Sequence, residues 1–316
     1  MDDMSHLEIR NQNLWATIET LGATLFRLRV KTDDGWRDVV LSSLDDPYIG
    51  RSIGRYASRL AKGRFELDGT TYQVTINEPP NSLHGGSHGF SDCEWTVISV
   101  DETSVVMQLI SPDGDQGYPG QMETVVVFDL GENALTLTYA ATCDQPTIVN
   151  LTSHPYFNLG LEPTIDDHRL WVNSTEMTPL AADLIPTGQI EPVSGTDYDF
   201  TTPKTLGPAL EAIGVLDDCF MVAGVGLRPM VRLSAPDGLT LAVLSDAPAV
   251  VIYDAAGFTG EAKGPDGQAY GRHAGLAIEP KYPPDSPNQP DFPDPVLRPG
   301  QTWSRTISFV IGVFKD

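Results

Sequence analysis

Glu279 and His154 are the two side chains in this sequence best placed for proton chemistry. Glu279 closes the short apolar run Leu276-Ala277-Ile278 and is followed at once by Pro280-Lys281-Tyr282-Pro283-Pro284. Proline cannot donate to a β-ladder and biases its predecessor towards extended geometry. The pattern therefore predicts Glu279 at the mouth of a strand, not in mid-sheet. A carboxylate there is costly unless it has partners or a chemical task. His154 lies in Ile148-Val149-Asn150-Leu151-Thr152-Ser153-His154-Pro155-Tyr156-Phe157, where a predicted strand ends and aromatics follow. Imidazole can give or take a proton near neutrality. Adjacent Ser and His do not make a hydrolase triad, which is a spatial arrangement, and no nucleophile elbow is read in the chain.

Three other segments concentrate polar chemistry. Gly54-Arg55-Tyr56-Ala57-Ser58-Arg59-Leu60-Ala61-Lys62-Gly63-Arg64-Phe65 carries four cations in ten residues of an acidic chain. Each reads equally well as part of a solvated basic turn or as a guanidinium gripping ligand hydroxyls. Asn81-Ser82-Leu83-His84-Gly85-Gly86-Ser87-His88 holds two histidines four apart, but the glycines oppose the helix that would let both ligate a metal. His84 reads as a turn histidine beside glycines that permit close approach to a ligand. Asp217-Asp218 precedes the apolar Cys219-Phe220-Met221-Val222, as a loop before a strand or as a pair able to bind sugar hydroxyls. Asp113-Gly114-Asp115 fails the spacing of a calcium loop.

These segments need rigid supports, and the chain supplies alternation rather than helices. Leu135, Leu137 and Tyr139 alternate with Thr136 and Thr138, and Ile307, Phe309, Ile311 and Val313 do the same near the C-terminus. Residues 105–110 and 124–128 also read as strands. Leu67-Asp68-Gly69, Pro112-Asp113-Gly114, Pro236-Asp237-Gly238 and Pro265-Asp266-Gly267 punctuate them as turns. Only Leu206 to Ile213 reads as a short helix. The expectation is a single all-β domain over residues 1–316, built as one large antiparallel β-sandwich with few short helices.

Composition narrows the function. The chain has 316 residues, 41% of them hydrophobic, with 43 acidic against 20 basic residues and a formal charge of −23. That field repels nucleic acid and anionic lipid and favours a neutral small molecule over a phosphorylated one. No run approaches the ~20 apolar residues of a membrane span. The N-terminus lacks a signal-peptide pattern, which points to the cytoplasm. Cys93, Cys143 and Cys219 are odd in number and far apart, so neither a disulfide framework nor a cysteine zinc site is expected.

Taken in order, GRYASRLAKGRF, NSLHGG, SPDGDQGYPG, NLTSHPYFNL, LIPTG and PDSPNQPDFP, followed by VLRPGQTW, closely resemble the aldose 1-epimerase (galactose mutarotase) family across nearly the whole chain. The resemblance implies a wide sugar cleft on a β-sandwich of the galactose-mutarotase super-sandwich type. It implies interconversion of the α and β anomers of a free aldose, without cofactor or metal, by a monomer or homodimer. It makes Glu279 the general base and His154 the general acid, protonated in the free protein and helped in this by Glu279 if the two are close. Ser58, Arg59, His84, Tyr156 and Asp217 become substrate contacts. Four places depart from the family's usual pattern. Ser58 replaces a common Asn, Ser153-His154-Pro155 replaces Asn-His-Ser, Pro280-Lys281 replaces Thr-Gln, and Val251 replaces a sugar-binding Gln at the expected cleft rim. Since acid and base survive, the departures imply altered sugar preference. The rival readings are a hexose-6-phosphate epimerase using Lys281 or the Arg51–Arg64 cations, a sugar-lactone hydrolase, and a non-catalytic carbohydrate binder or sensor.

Overall fold

The computed structural model describes residues 6–43 and 45–313. Its strands build two large antiparallel sheets and several smaller ribbons. The larger sheet has nine strands, in the order Thr96–Val100, Ser104–Ser111, Met122–Leu130, Ala134–Cys143, Trp303–Val313, Leu239–Ser245, Arg228–Ser234, Arg169–Val172 and Lys204–Thr205. The C-terminal strand joins the two halves of the sheet. It pairs Ile307 with Leu137 on one side and Phe309 with Val243 on the other. The period-two runs at 105–110, 124–128 and 135–139 form the cores of three successive strands, with Val105, Val126, Phe128, Leu135 and Leu137 buried on one face. That is the half-buried antiparallel pattern the alternation predicts.

Turn chemistry agrees. Asp68 and Gly69 both have positive φ, 51° and 77°, and close the Arg64–Leu67/Thr70–Gln73 hairpin, the geometry for which Asp-Gly is favoured. The predicted helix spans Leu206–Ile213, buries Leu206 and Leu210 one turn apart, and stops at Gly214.

The second sheet, of six strands, positions the chemistry. Its order is Tyr156–Phe157, Leu276–Lys281, Ala249–Tyr253, Asp217–Met221, Glu176–Thr178 and Glu191–Pro192. Phe220, Val250, Ile252, Leu276 and Ile278 belong to the main core, and each such side chain stabilises by roughly 1.5–3 kcal/mol on full burial. The intervening residues, Asp217, Val251, Tyr253, Glu279 and Lys281, line a cleft on the opposite face. Period two therefore sends apolar groups inward and chemistry outward from the same strands.

One expectation fails here. Glu279 is not at a strand mouth but within the Leu276–Lys281 strand, in register with Val251, and pairing continues through Pro280 and Lys281. The strand tolerates the proline because its other neighbour, Tyr156–Phe157, pairs only as far as Ala277, so Pro280 has a single ladder partner. Asp217 and Asp218 likewise lie inside a strand rather than in a loop before it. Among the described residues no helix is long and apolar enough to cross a membrane.

Candidate active site

The cleft has a volume of about 440 Å³, within the range of small-ligand sites. It gathers all seven residues singled out from the sequence: Ser58, Arg59, His84, His154, Tyr156, Asp217 and Glu279. At its base, His154 Nε2 lies 3.5 Å from Glu279 Oε1, and both side chains are almost wholly buried. That separation is too long for a strong hydrogen bond and suits two groups acting on one ligand placed against both.

His154 is fixed from several directions. Its peptide N–H donates to Arg51 O and its carbonyl accepts from Gly50 N–H, while Ser153 pairs with Ser52. Its ring stacks on Tyr156 at 5.0 Å and on Tyr48 at 6.3 Å, and meets His84 edge-on at 5.3 Å. Burial holds its pKa below the ordinary histidine value. Glu279 pulls upward, as expected of a nearby carboxylate, but desolvation is the larger effect and Lys281 adds to it. Burial therefore works against the imidazolium expected in the free protein, and the Glu279 carboxylate works for it.

His84 sits at φ 53° in a turn completed by Gly85 and Gly86. Its Nδ1 accepts the Ser58 backbone N–H at 3.2 Å, which leaves Nε2 as the donor of the neutral ring. Burial, then His154, Lys281 and Arg59, keep its pKa well below normal. The adjacent glycines do not serve a ligand. A Cβ on Gly85 would stand 1.9 Å from Gly54 O, so the close approach is between two segments of the chain. His88, four residues on, is exposed and plays no part in the cleft.

Of the clustered cations only Arg59 reaches the cleft. It donates to both Glu78 oxygens, at 2.7 and 2.9 Å, and to Asp217 Oδ2 at 3.3 Å. Arg55 is instead buried among the carbonyls of Ser111, Pro112, Pro119 and Gly120. The SPDGDQGYPG motif is therefore a cage for that guanidinium, and Asp113 and Asp115 serve it by accepting from Gly120 N–H and Ser111 Oγ. The proline-rich segment after Glu279 is a buttress: Tyr56 donates to Pro283 O, and Asp285 accepts the Ala61 N–H while its own N–H donates to Arg59 O. It ties the wall carrying Ser58 and Arg59 to the strand carrying Glu279.

Asp217 and Asp218 separate by period two. Asp217 lines the cleft with a pKa raised by burial and opposed by Arg59. Asp218 follows in register with core Ile252 and is pushed up to about 7 by burial. A carboxyl raised in the folded state binds a proton that the unfolded chain has released, so its stability contribution falls as pH rises from about 4 to about 7. Asp218→Asn keeps an acceptor for the Asp217 N–H and removes the ionisation. The expected result is a rise in Tm at pH 8 that is absent at pH 4; equal shifts at both would remove this account.

Several residues escaped the sequence reading. Tyr48, Tyr253, Leu184 and Val215 also line the cleft, and Glu78 anchors Arg59. Apart from Leu184, which opens the LIPTG motif, none has a local signal, because loops and strands distant in sequence meet only on folding. Val251 lines the cleft in register with Glu279 on the neighbouring strand. Gly50-Arg51-Ser52-Ile53-Gly54 does spell the G-x-S-x-G string, which the sequence reading overlooked. Ser52 is buried in a two-residue strand, bonded to Ala23 O and the Tyr139 hydroxyl, with no histidine on its Oγ; it is structural. A larger hollow of about 580 Å³ adjoins the cleft through Leu184, Val215 and Asp217, and no histidine or cation lines it.

Comparison with known proteins agrees with this geometry. The family model described as aldose 1-epimerase matches residues 5–310. Human galactose mutarotase is 37% identical, over 97% of this chain and 93% of its own. The aldose 1-epimerase of Escherichia coli K12 is 34% identical, over 95% and 92%. Among solved structures, an aldose epimerase homologue from C. elegans superposes with a TM-score of 0.92 at 30% identity, covering 98% of this chain and 99% of that one. Galactose 1-epimerase from Lactobacillus acidophilus NCFM gives a TM-score of 0.83 at 26% identity, covering 96% and 93%. With a family match over residues 5–310 and relatives 34–37% identical over most of both chains, the chain belongs to the aldose 1-epimerase family.

Proposed function

We propose that this protein interconverts the α and β anomers of a neutral free aldose, with Glu279 as base and His154 as acid. The observation that carries the reading is the 3.5 Å approach of His154 Nε2 to Glu279 Oε1 at the base of the cleft. In this mechanism the Glu279 carboxylate takes the C1 hydroxyl proton while the His154 imidazolium protonates the ring oxygen. The C1–O5 bond breaks and leaves an open-chain aldehyde, protonated Glu279 and neutral His154. Rotation about C1–C2 presents the other carbonyl face, and the same two protons return in reverse on closure. No net proton is gained or lost. Each positioned acid or base is worth about 10²–10⁴-fold.

Ser58, Arg59, His84, Tyr156 and Asp217 bind the sugar in this reading. His84 offers Nε2–H to a hydroxyl, and Arg59 and Asp217 present a donor and an acceptor side by side. The two cations lining the cleft, Arg59 and Lys281, are both ion-paired, which argues for a neutral sugar over a 6-phosphate. All 316 residues act as one domain, as a monomer or homodimer.

Polarimetry of freshly dissolved α-glucose, α-galactose and α-xylose tests the proposal. The protein is expected to accelerate the approach to rotational equilibrium for at least one of them. Buffer-level rates for every free aldose would sink it, and acceleration confined to 6-phosphates would transfer the site to a phosphorylated substrate.

A further inference from the structure

Lys281 lines the cleft and bonds directly to Glu279. It is fully buried, and its Nζ donates to Glu279 Oε2 at 2.7 Å, the length of a strong charge-assisted bond. Glu279 and Lys281 are two apart on one strand and so share its cleft face. Ala249 lies opposite Lys281 in register, and Cys219 and Val251 cluster with it as small side chains on the neighbouring strands. That patch leaves room for a lysine stem.

The two carboxylate oxygens of Glu279 consequently differ. Oε2 is held by Lys281, and Oε1 faces His154. Resting on the epimerase reading above, we propose that Lys281 is a positioning residue for the base. Its ammonium pins Oε2 and keeps the buried carboxylate compensated, so Oε1 is the oxygen that takes the C1 hydroxyl proton beside His154. The other titratable groups around the pair are His154 and Tyr156 from the segment before and within the edge strand, Tyr253 from the Ala249–Tyr253 strand, Asp217 and Cys219 from the Asp217–Met221 strand, and Tyr48, His84 and Arg59 from the surrounding segments. Lys281 is the only cation among them bonded to Glu279 in the described structure.

The test compares the wild type, Lys281→Met and Lys281→Gln by kcat, KM and the pH profile of kcat/KM, with thermal unfolding as a check on folding. Met removes both the charge and the donor. It should lower kcat by about 10²-fold, the scale of a 1 Å misplacement, with KM near that of the wild type. It should also move the acid limb of kcat/KM to higher pH, because an unpaired buried carboxylate favours its proton. Gln keeps a donor without charge, so it should recover most of kcat while keeping the shifted limb. A folded Met variant with wild-type kcat and profile overturns the proposal. So does a kcat loss common to both variants with the acid limb unmoved, which is what a purely structural lysine would give. If Met does not fold, Gln decides alone: a shifted limb supports the role and an unshifted limb overturns it. A wild type inert on every aldose overturns both this role and the epimerase reading, whereas an active wild type matched by its variants overturns only the role of Lys281.

Discussion

Glu279→Gln is expected to lower the anomerisation rate by about 10²–10⁴-fold, the contribution of one positioned base, while sugar binding by calorimetry stays measurable. The amide preserves shape and hydrogen-bonding capacity but cannot accept the C1 hydroxyl proton. The structure adds a second consequence. Lys281 Nζ is bonded to Glu279 Oε2 in a fully buried pair, so neutralising the glutamate leaves an ammonium uncompensated. Breaking a buried pair from one side costs about 3–5 kcal/mol, and the variant should melt well below the wild type. Adding Lys281→Met to Glu279→Gln removes the stranded charge and should restore much of the lost stability without restoring activity. Recovery of activity in the double variant would place the base elsewhere.

His154→Asn should also cost about 10²–10⁴-fold, and its pH signature is opposite in kind. The acid form of His154 is the imidazolium, present below its pKa. Burial first, with Lys281 assisting, sets that pKa below the ordinary 6.5 against the pull of Glu279. Wild-type kcat/KM should therefore decline as pH rises, on a limb lying below about 6.5. The Asn variant should be slow and should lack that limb. Its persistence in the variant would assign it to another group. His84 is the natural control: its Nδ1 accepts the Ser58 N–H, and burial holds its pKa well below normal.

The fold was legible because alternation is a local property. Residues 105–110, 124–128 and 135–139 bury one face as their pattern demands, and the one α-helix among the described residues runs from Leu206 to Ile213 as read. The proline rule misplaced Glu279, since whether a strand tolerates Pro280 depends on how far its neighbour pairs. The cation-rich segment was divided by folding in a way no spacing reveals, with Arg55 locked among carbonyls and Arg59 at the cleft. Tyr48, Glu78 and Tyr253 enter the site from segments with no motif of their own.

By itself, the sequence determined the class of architecture and the family, and it singled out His154 and Glu279 as the proposed acid and base, because strand periodicity and long ordered motifs are written in consecutive residues. Tertiary structure decided the rest. It brought His154 within reach of Glu279, lowered the imidazole pKa by burial and closed Arg59 between two carboxylates. It also made Lys281 a partner of Glu279. Those outcomes depend on distance and desolvation between strands far apart in the chain, and neither exists until the sheet is assembled.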